Sequence, residues 1–275
     1  MSDANPKLKL IRNLLAKAEA TQFEHEADEF RSKAFELMAK YGVEEAMLNA
    51  HRPEAVREQV DVRLVEVLPG SYLNQRVHLL QQLATALGVE NVHYLNSKKR
   101  RQRRTKWEMR MGVPAKPSVK NEQKTERVEL VGYPSDMGRV EMLWTSLCLQ
   151  MATMVGRDPE GRLWAMDRGQ KRAYNNGRVA GFITEVTSRV ALREVSAKQQ
   201  AKQDDRSGST ALVLVDRATA IETFWKARHD PKSFSRSSSS FGTSDYDGHA
   251  AGRKAGERAN IGGTGLGQTE QRALG

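Results

Sequence analysis

The residues that most resemble parts of a catalytic or metal site are a histidine-glutamate pair, a single cysteine and a glycine-rich tail. His25 and Glu26 begin like the H-E-x-x-H zinc helix, but the position of the second histidine holds Glu29. Cys148 has no adjacent base that would activate it as a nucleophile. Gly263–Gly267 has the spacing of a dinucleotide loop but follows no predicted strand. These patterns predict no catalytic residue, no metal site and no cofactor.

The densest functional pattern is the stretch SKKRRQRRTKWEMR at residues 97–110. Arginine and lysine neutralise nucleic-acid phosphates and release their condensed counterions, and a tryptophan can stack on an exposed base. Surface loops whose charges serve only solubility have a similar composition. The charge density and the adjoining aromatic residue favour DNA or RNA binding, without base-specific readout, by Lys98, Lys99, Arg100, Arg101, Arg103, Arg104, Lys106, Trp107 and Arg110.

The charge of the whole chain is unevenly distributed. The net charge is +10, and residues 98–110 hold eight basic residues and one acid, so they carry most of the excess. Cysteine occurs once, which excludes a disulfide within the chain. No apolar run approaches the roughly 20 residues that span a bilayer, and residues 1–20 lack the apolar block of a secretory signal peptide. We therefore expect a cytoplasmic protein without a membrane partner.

The first 50 residues predict a helical hairpin followed by a short third helix. In the second helix, apolar residues recur at spacings of four and three from Phe23 to Tyr41. Gly42 is expected to end that helix in a left-handed conformation. The first helix places one apolar stripe on a single face, formed by Leu8, Ile11, Leu14, Leu15 and Ala18.

These residues also carry a family resemblance. KLIRNLLAKAEATQFEHEADEFRSKAFELMAKYGV resembles the N-terminal domain of the bacterial and phage domain-of-unknown-function family 2786. Members have a lysine- and leucine-rich helix, an LLAKAE segment, an acidic turn and a second helix ending in ELMA-like residues before a glycine. The later stretches LVGYPSDMGRVEMLWTSL, AYNNGRVAGF and GHAAGRKAGERANIGG are similar to a region that often accompanies this domain. The resemblance implies a helical N-terminal domain but no catalytic residues, because none are established for the family.

The middle of the chain predicts a small sheet. Val60, Val62 and Leu64 alternate with polar residues, as in a half-buried strand, and further strands are expected at residues 91–96 and 126–131. If the last two strands pair, residues 97–125 form a long excursion that contains the basic stretch. A loop of that length inside a compact domain is unusual unless it is functional or disordered.

The second half of the chain is predicted to be mainly helical. Helices are expected from Ser135 to Gly156 and from about Arg168 to Gln203. The apolar run ALVLV at residues 211–215 predicts a short strand, after which Asp216 should cap another helix.

Two helices near the end carry glycines at four-residue spacing. The first contains Gly177 and Gly181, and the second contains Gly248, Gly252 and Gly256. Glycine costs about 1 kcal/mol relative to alanine inside a helix, so the two series need a compensating contact. We expect each of these helices to approach another helix backbone closely, and the two helices could be each other's partner. For the last helix the alternative is a frayed terminus.

Together these patterns predict an α+β protein: a helical-hairpin N-terminal module followed by a mixed domain of helices on a small sheet. The expected domains are residues 1–52 for the N-terminal module and 53–230 for the α+β domain, with its basic excursion at 97–125. Residues 231–275 follow as a serine-rich linker, a short helix and a glycine-rich tail.

We expect a non-enzymatic, sequence-independent DNA- or RNA-binding accessory protein whose partner is the phosphate backbone. The alternative is a protein-interaction or scaffold module without nucleic-acid contact, in which the N-terminal hairpin and the glycine-bearing helices bind a protein partner. A third hypothesis is an enzyme whose residues converge only in three dimensions, for example around His78 and His93. The spacing of these histidines does not predict a metal site.

Overall fold

The computed structural model describes residues 6–21, 23–94, 110–111, 125–157, 161–229 and 245–261. Within these ranges helices surround a small antiparallel sheet, so the α+β fold class is confirmed. The strands are β1 (Asp61–Val67), β2 (Glu90–Tyr94) and β3 (Glu126–Gly132). Single turns of 3-10 helix lie at Glu54–Val56 and Leu163–Ala165. The α-helices are α1 (Pro6–Ala20), α2 (Glu24–His51), α3 (Leu73–Ala86), α4 (Pro134–Gly156), α5 (Arg168–Asp204), α6 (Ser209–Arg228) and α7 (Tyr246–Arg258).

Helices α1 and α2 pack together as the predicted hairpin. Ile11, Leu15 and Ala18 of α1 are buried, as the apolar stripe requires. The prediction that Gly42 ends the second helix is wrong, because α2 continues to His51, and residues 43–50 belong to α2 and not to a separate third helix. The glycine serves a different purpose: a side chain at this position would overlap the Arg139 guanidinium, which lies against the α2 backbone.

The three strands lie in the order β1-β3-β2, with both pairs antiparallel. The strands on either side of residues 95–125 therefore pair with each other, which the sequence left open. Val128 and Leu130 of β3 are fully buried against the helices on one face of the sheet. The opposite face of β3 carries Glu129, which faces α6.

The predicted strand at residues 211–215 is wrong, because this run lies within α6. The Asp205 carboxylate accepts hydrogen bonds from the Thr210 amide and the Ser209 hydroxyl. It thereby caps the first turn of the helix by giving a free backbone amide an acceptor. Asp216 consequently lies inside the helix and does not cap it. A short apolar run is compatible with either a strand or a helix, and here the local hydrogen bonds favour the helix.

The glycine series pack helices α5 and α7 against each other, which confirms the expected backbone contact. A side chain at Gly181 would overlap the His249 carbonyl, and one at Gly252 would overlap the Arg178 carbonyl. Successive glycines meet successive turns of the other helix, so α5 and α7 run parallel with their N-termini at the same end. The two series therefore interlock within one molecule.

The buried side chains of α1 and α2 belong to the same hydrophobic core as those of the sheet and of α3, α4 and α5. The domain boundary at residue 52 thus stays a prediction. Across the described ranges, no helix combines the length and the apolarity that crossing a membrane requires.

Candidate functional site

Most of the predicted nucleic-acid-binding residues lie outside the described part of the chain. These are Lys98, Lys99, Arg100, Arg101, Arg103, Arg104, Lys106 and Trp107. Arg110 is described, and its side chain is exposed. What the structure defines is the base of this segment, namely the two strands from which it leaves and to which it returns.

The base of the segment is a pair of hydrogen-bonded strand ends. Tyr94, the last residue of β2, lies opposite Arg127 of β3, and Val67 at the end of β1 lies opposite Glu126. Residues 95–125 therefore start and finish at the same end of the sheet. Antiparallel neighbours are held about 5 Å apart at this point, so the two ends of residues 95–125, which contain the basic segment 98–110, are anchored to one small area.

The acidic residues at this end of the sheet already have partners of their own. The Arg127 guanidinium lies 3.3 Å from the Glu66 carboxylate. The His93 imidazole lies 3.2 Å from the Glu126 carboxylate. These carboxylates therefore have local partners among the described residues.

Glu129 is the third carboxylate near this end of the sheet that has partners among the described residues. Its carboxylate accepts a hydrogen bond from the Tyr94 hydroxyl at 3.0 Å and two from the Arg228 guanidinium at 3.1 and 3.3 Å. The His229 ring lies 2.9 Å away. Burial raises the pKa of a carboxyl, but the hydrogen bonds from Arg228 and Tyr94 outweigh it and lower the pKa of Glu129.

Sequence reasoning missed this cluster, which we call the Glu129 cluster (Tyr94, Glu129, Arg228 and His229). Its members come from β2, β3 and the end of α6, and 99 residues separate Glu129 from Arg228. No spacing rule connects such distant positions. The Glu129 carboxylate accepts three hydrogen bonds, from Tyr94 and Arg228. The cluster therefore has the features of a structural contact that holds α6 against the sheet.

A second polar cluster, the Arg139 cluster, is largely buried between α2, α4, α5 and α6. Arg139 donates to Asp136 at 3.2 Å and to Glu194 at 2.6 Å, and Arg217 donates to Asp136 at 2.7 Å. Lys198 lies 3.3 Å from Glu194. Burial alone would lower the pKa of Arg139, but the charges of Glu194 and Asp136 raise it. Each charged group here has a partner of opposite charge, which is typical of a structural network.

The candidates for catalysis or metal binding stay apart. Burial raises the pKa of the Cys148 thiol to about 12, so little thiolate is present to act as a nucleophile. Burial lowers the pKa of His78, and His93 pairs with Glu126 rather than with His78. Within the described residues, no group of three histidine, cysteine or acidic side chains is arranged to hold a metal ion.

One open groove lies between α6 and the residues that precede β1. Its volume is about 590 Å³, and Asp216 is the one ionisable residue among those that line it. The remaining lining is apolar or weakly polar: Gln59, Val60, Thr219, Ala220, Thr223, Phe224 and Ala227. Acid–base catalysis needs at least one positioned acid or base with a partner, and this lining does not supply that pair.

The comparison with known families identifies the N-terminal helices. Residues 8–45 match the family described as Protein of unknown function (DUF2786). The DUF2786 segment begins in α1 and ends in α2, three residues after Gly42. No curated protein and no solved structure matches the chain. The DUF2786 match confirms the resemblance of the first 45 residues and brings no activity with it.

Proposed function

We propose that this protein is a non-enzymatic, cytoplasmic accessory protein that binds the phosphate backbone of DNA or RNA through the basic segment 98–110. The observation that carries the proposal is the antiparallel pairing of β2 with β3, which anchors the two ends of residues 95–125 at one end of the sheet. The first of the eight cations, Lys98, follows Tyr94 by four residues, so the charged segment is tethered to this end of the sheet.

The state of the nearby acidic residues supports the same proposal. Glu66, Glu126 and Glu129 are engaged with Arg127, His93 and the Glu129 cluster. An internal carboxylate that paired with the segment would quench its field, and these three have other partners. Carboxylates that already have partners compete less well with an external polyanion for the cations of the segment.

The test compares three proteins: the unchanged chain, a variant with the eight basic residues of 98–110 replaced by serine, and a variant with the residues of this segment in a permuted order. The serine variant should bind oligonucleotides at least about 100-fold more weakly, because binding of this kind depends on counterion release. The permuted variant keeps the charge and should bind as well as the unchanged chain.

Salt dependence gives the second readout. The log–log slope of duplex affinity against salt should approach about −7 for eight phosphate contacts and should be much shallower in the serine variant. Equal affinities for the unchanged and the serine variant would refute the proposal. A permuted variant that fails to bind would refute sequence-independent contact.

A protein partner is the second candidate, and one observation favours it. Helix α6 leaves Leu212 and Val215 exposed beside the groove that Phe224 lines. Exposed apolar side chains in a row are typical of protein contacts. The glycine faces of α5 and α7 are already occupied by each other and do not contribute. Light scattering at several salt concentrations distinguishes the two candidates, because apolar assembly persists at high salt.

A further inference from the structure

Two aromatic side chains stand almost fully in solvent. Trp164, in the 3-10 turn before α5, is 84% exposed, and Tyr246, in the first turn of α7, is 86% exposed. Aromatic side chains of this size are normally at least partly buried, since burial removes a large apolar area from water. Two of them left in solvent by separate elements indicate a surface that another molecule covers.

The tertiary structure brings these two aromatic residues to the same place. The Arg162 guanidinium lies 3.6 Å from the Asp247 carboxylate, so the turn that holds Trp164 is adjacent to the start of α7. The glycine contacts place the start of α7 against the third turn of α5, because Gly177 lies against the backbone of Asp245. Sequence reasoning had no means to join positions 82 residues apart.

Both aromatic residues are presented from well-defined helix starts. The Asp167 side chain accepts from the amides of Gly169 and Gln170, and the Gln170 side chain accepts from the Asp167 amide in return. Asp245 caps α7 in the same way, by accepting from the Gly248 amide at 2.7 Å. A surface held by two capped helices needs little rearrangement to bind a ligand.

The described cations around these aromatic residues (Arg162, Arg168, Lys171 and Arg172) outnumber the described carboxylates (Asp167, Asp245 and Asp247) by one, which favours an anionic partner. Asp167 and Asp245 are engaged as helix caps, and Asp247 pairs with Arg162. The exposed Arg168 and Arg172 follow on the first two turns of α5 and form no ion pair with another described residue.

We infer that Trp164, Tyr246, Arg162, Arg168 and Arg172 form an aromatic–arginine surface that stacks on the unpaired bases of a single-stranded nucleic acid. The inference rests on the proposed function and narrows it from any polyanion to single strands. Every base has a face on which an aromatic ring can stack, so this contact is tolerant of sequence. In a duplex the bases are already stacked on one another and leave no such face.

The test measures the affinity of the full chain for an oligothymidylate and for a duplex of equal length, at one fixed salt concentration. Each of Trp164→Ala and Tyr246→Ala should weaken oligothymidylate binding by about 5- to 10-fold, the lower part of the range for base stacking. Duplex affinity should stay unchanged. Trp164→Phe retains an aromatic face and should restore most of the affinity.

Phe23→Ala is the matched control, because Phe23 is also an exposed aromatic residue, at 69%, but lies between α1 and α2. It should leave both affinities unchanged. If the double variant Trp164→Ala/Tyr246→Ala binds the oligothymidylate like the unchanged chain, the inference is refuted. If the double variant alters only self-association in light scattering, the surface is a protein contact and the inference is also refuted.

The same titrations separate this inference from the proposed function. Loss of all binding in the serine variant together with normal binding in the aromatic double variant supports the basic segment and refutes the aromatic surface. Loss in the aromatic variants with normal binding in the serine variant does the reverse. Binding of neither probe by the unchanged chain refutes both.

Discussion

Replacing Gly42 by alanine tests whether the buried Arg139 fixes α2 to the rest of the protein. A glycine-to-alanine change in the middle of a helix normally stabilises a protein by about 0.5–1 kcal/mol. At this position the new Cβ would overlap the Arg139 guanidinium. The end of an arginine side chain is usually free to move, but this one is 2% exposed and bonded to Asp136 and Glu194.

The expected magnitude follows from these contacts. Separating a buried ion pair destabilises a protein by about 3–5 kcal/mol, and the gain in helix propensity offsets about 1 of this. Gly42→Ala should therefore lower the free energy of unfolding by about 2–4 kcal/mol. For a protein of this size the midpoint of thermal unfolding should fall by roughly 5–15 °C.

Gly138→Ala is the matched control, because it lies in α4 next to Arg139 and a Cβ there meets nothing within 4 Å. This variant should be as stable as the unchanged chain or up to about 1 kcal/mol more stable. Urea unfolding followed by circular dichroism measures both variants. In an Arg139→Met background, Gly42→Ala should lose most of its destabilising effect. A Gly42→Ala variant as stable as Gly138→Ala would refute the reasoning.

Three further outcomes are expected. Gly181→Ala should destabilise the protein by about 1–3 kcal/mol, because the new methyl group overlaps the His249 carbonyl. It should also speed amide hydrogen exchange in residues 246–258. The control Gly156→Ala should have neither effect, because a Cβ there meets nothing within 4 Å. The pKa of Glu129 is lowered because its hydrogen bonds outweigh the effect of burial. The stability that the Glu129 carboxylate contributes is therefore complete above about pH 4.5 and is lost as the pH falls through the pKa of the folded state. Glu129→Gln should make the free energy of unfolding less dependent on pH in this acidic range. Burial raises the pKa of Cys148 from 9.0 to about 12, so the thiolate fraction in the folded protein is roughly a thousandfold smaller than in the unfolded chain. Cys148 should therefore react with a disulfide reagent much more slowly in native buffer than in urea. Equal rates in the two solvents would contradict this.

The glycine series show how far local patterns reach. The energetic cost of glycine inside a helix indicated that Gly177, Gly181 and Gly252 must meet another backbone, and they do. The same kind of reasoning failed at Gly42, where a helix stop was expected. A glycine gives the same local pattern whether it ends a helix or makes room for a side chain from elsewhere, and here the side chain is Arg139, 97 positions away.

The apolar run ALVLV failed for a different reason. Five apolar residues suit either a strand or a helix, and the choice depends on whether a sheet edge or a helix cap is available. Asp205 supplies the cap through the Thr210 amide, and the run became the first turns of α6.

By itself the sequence determined the helical hairpin and the strands around residues 60–67, 90–94 and 126–132, because hydrophobic periodicity acts between near neighbours. It also determined the match to DUF2786 and the concentration of positive charge in residues 98–110. Only the tertiary structure decided that Glu129 meets Arg228, that Arg139 lies against α2, and that Trp164 lies beside the start of α7. Contacts of this kind depend on how helices and strands pack over distances of 80 residues or more, and no local spacing along a chain encodes them.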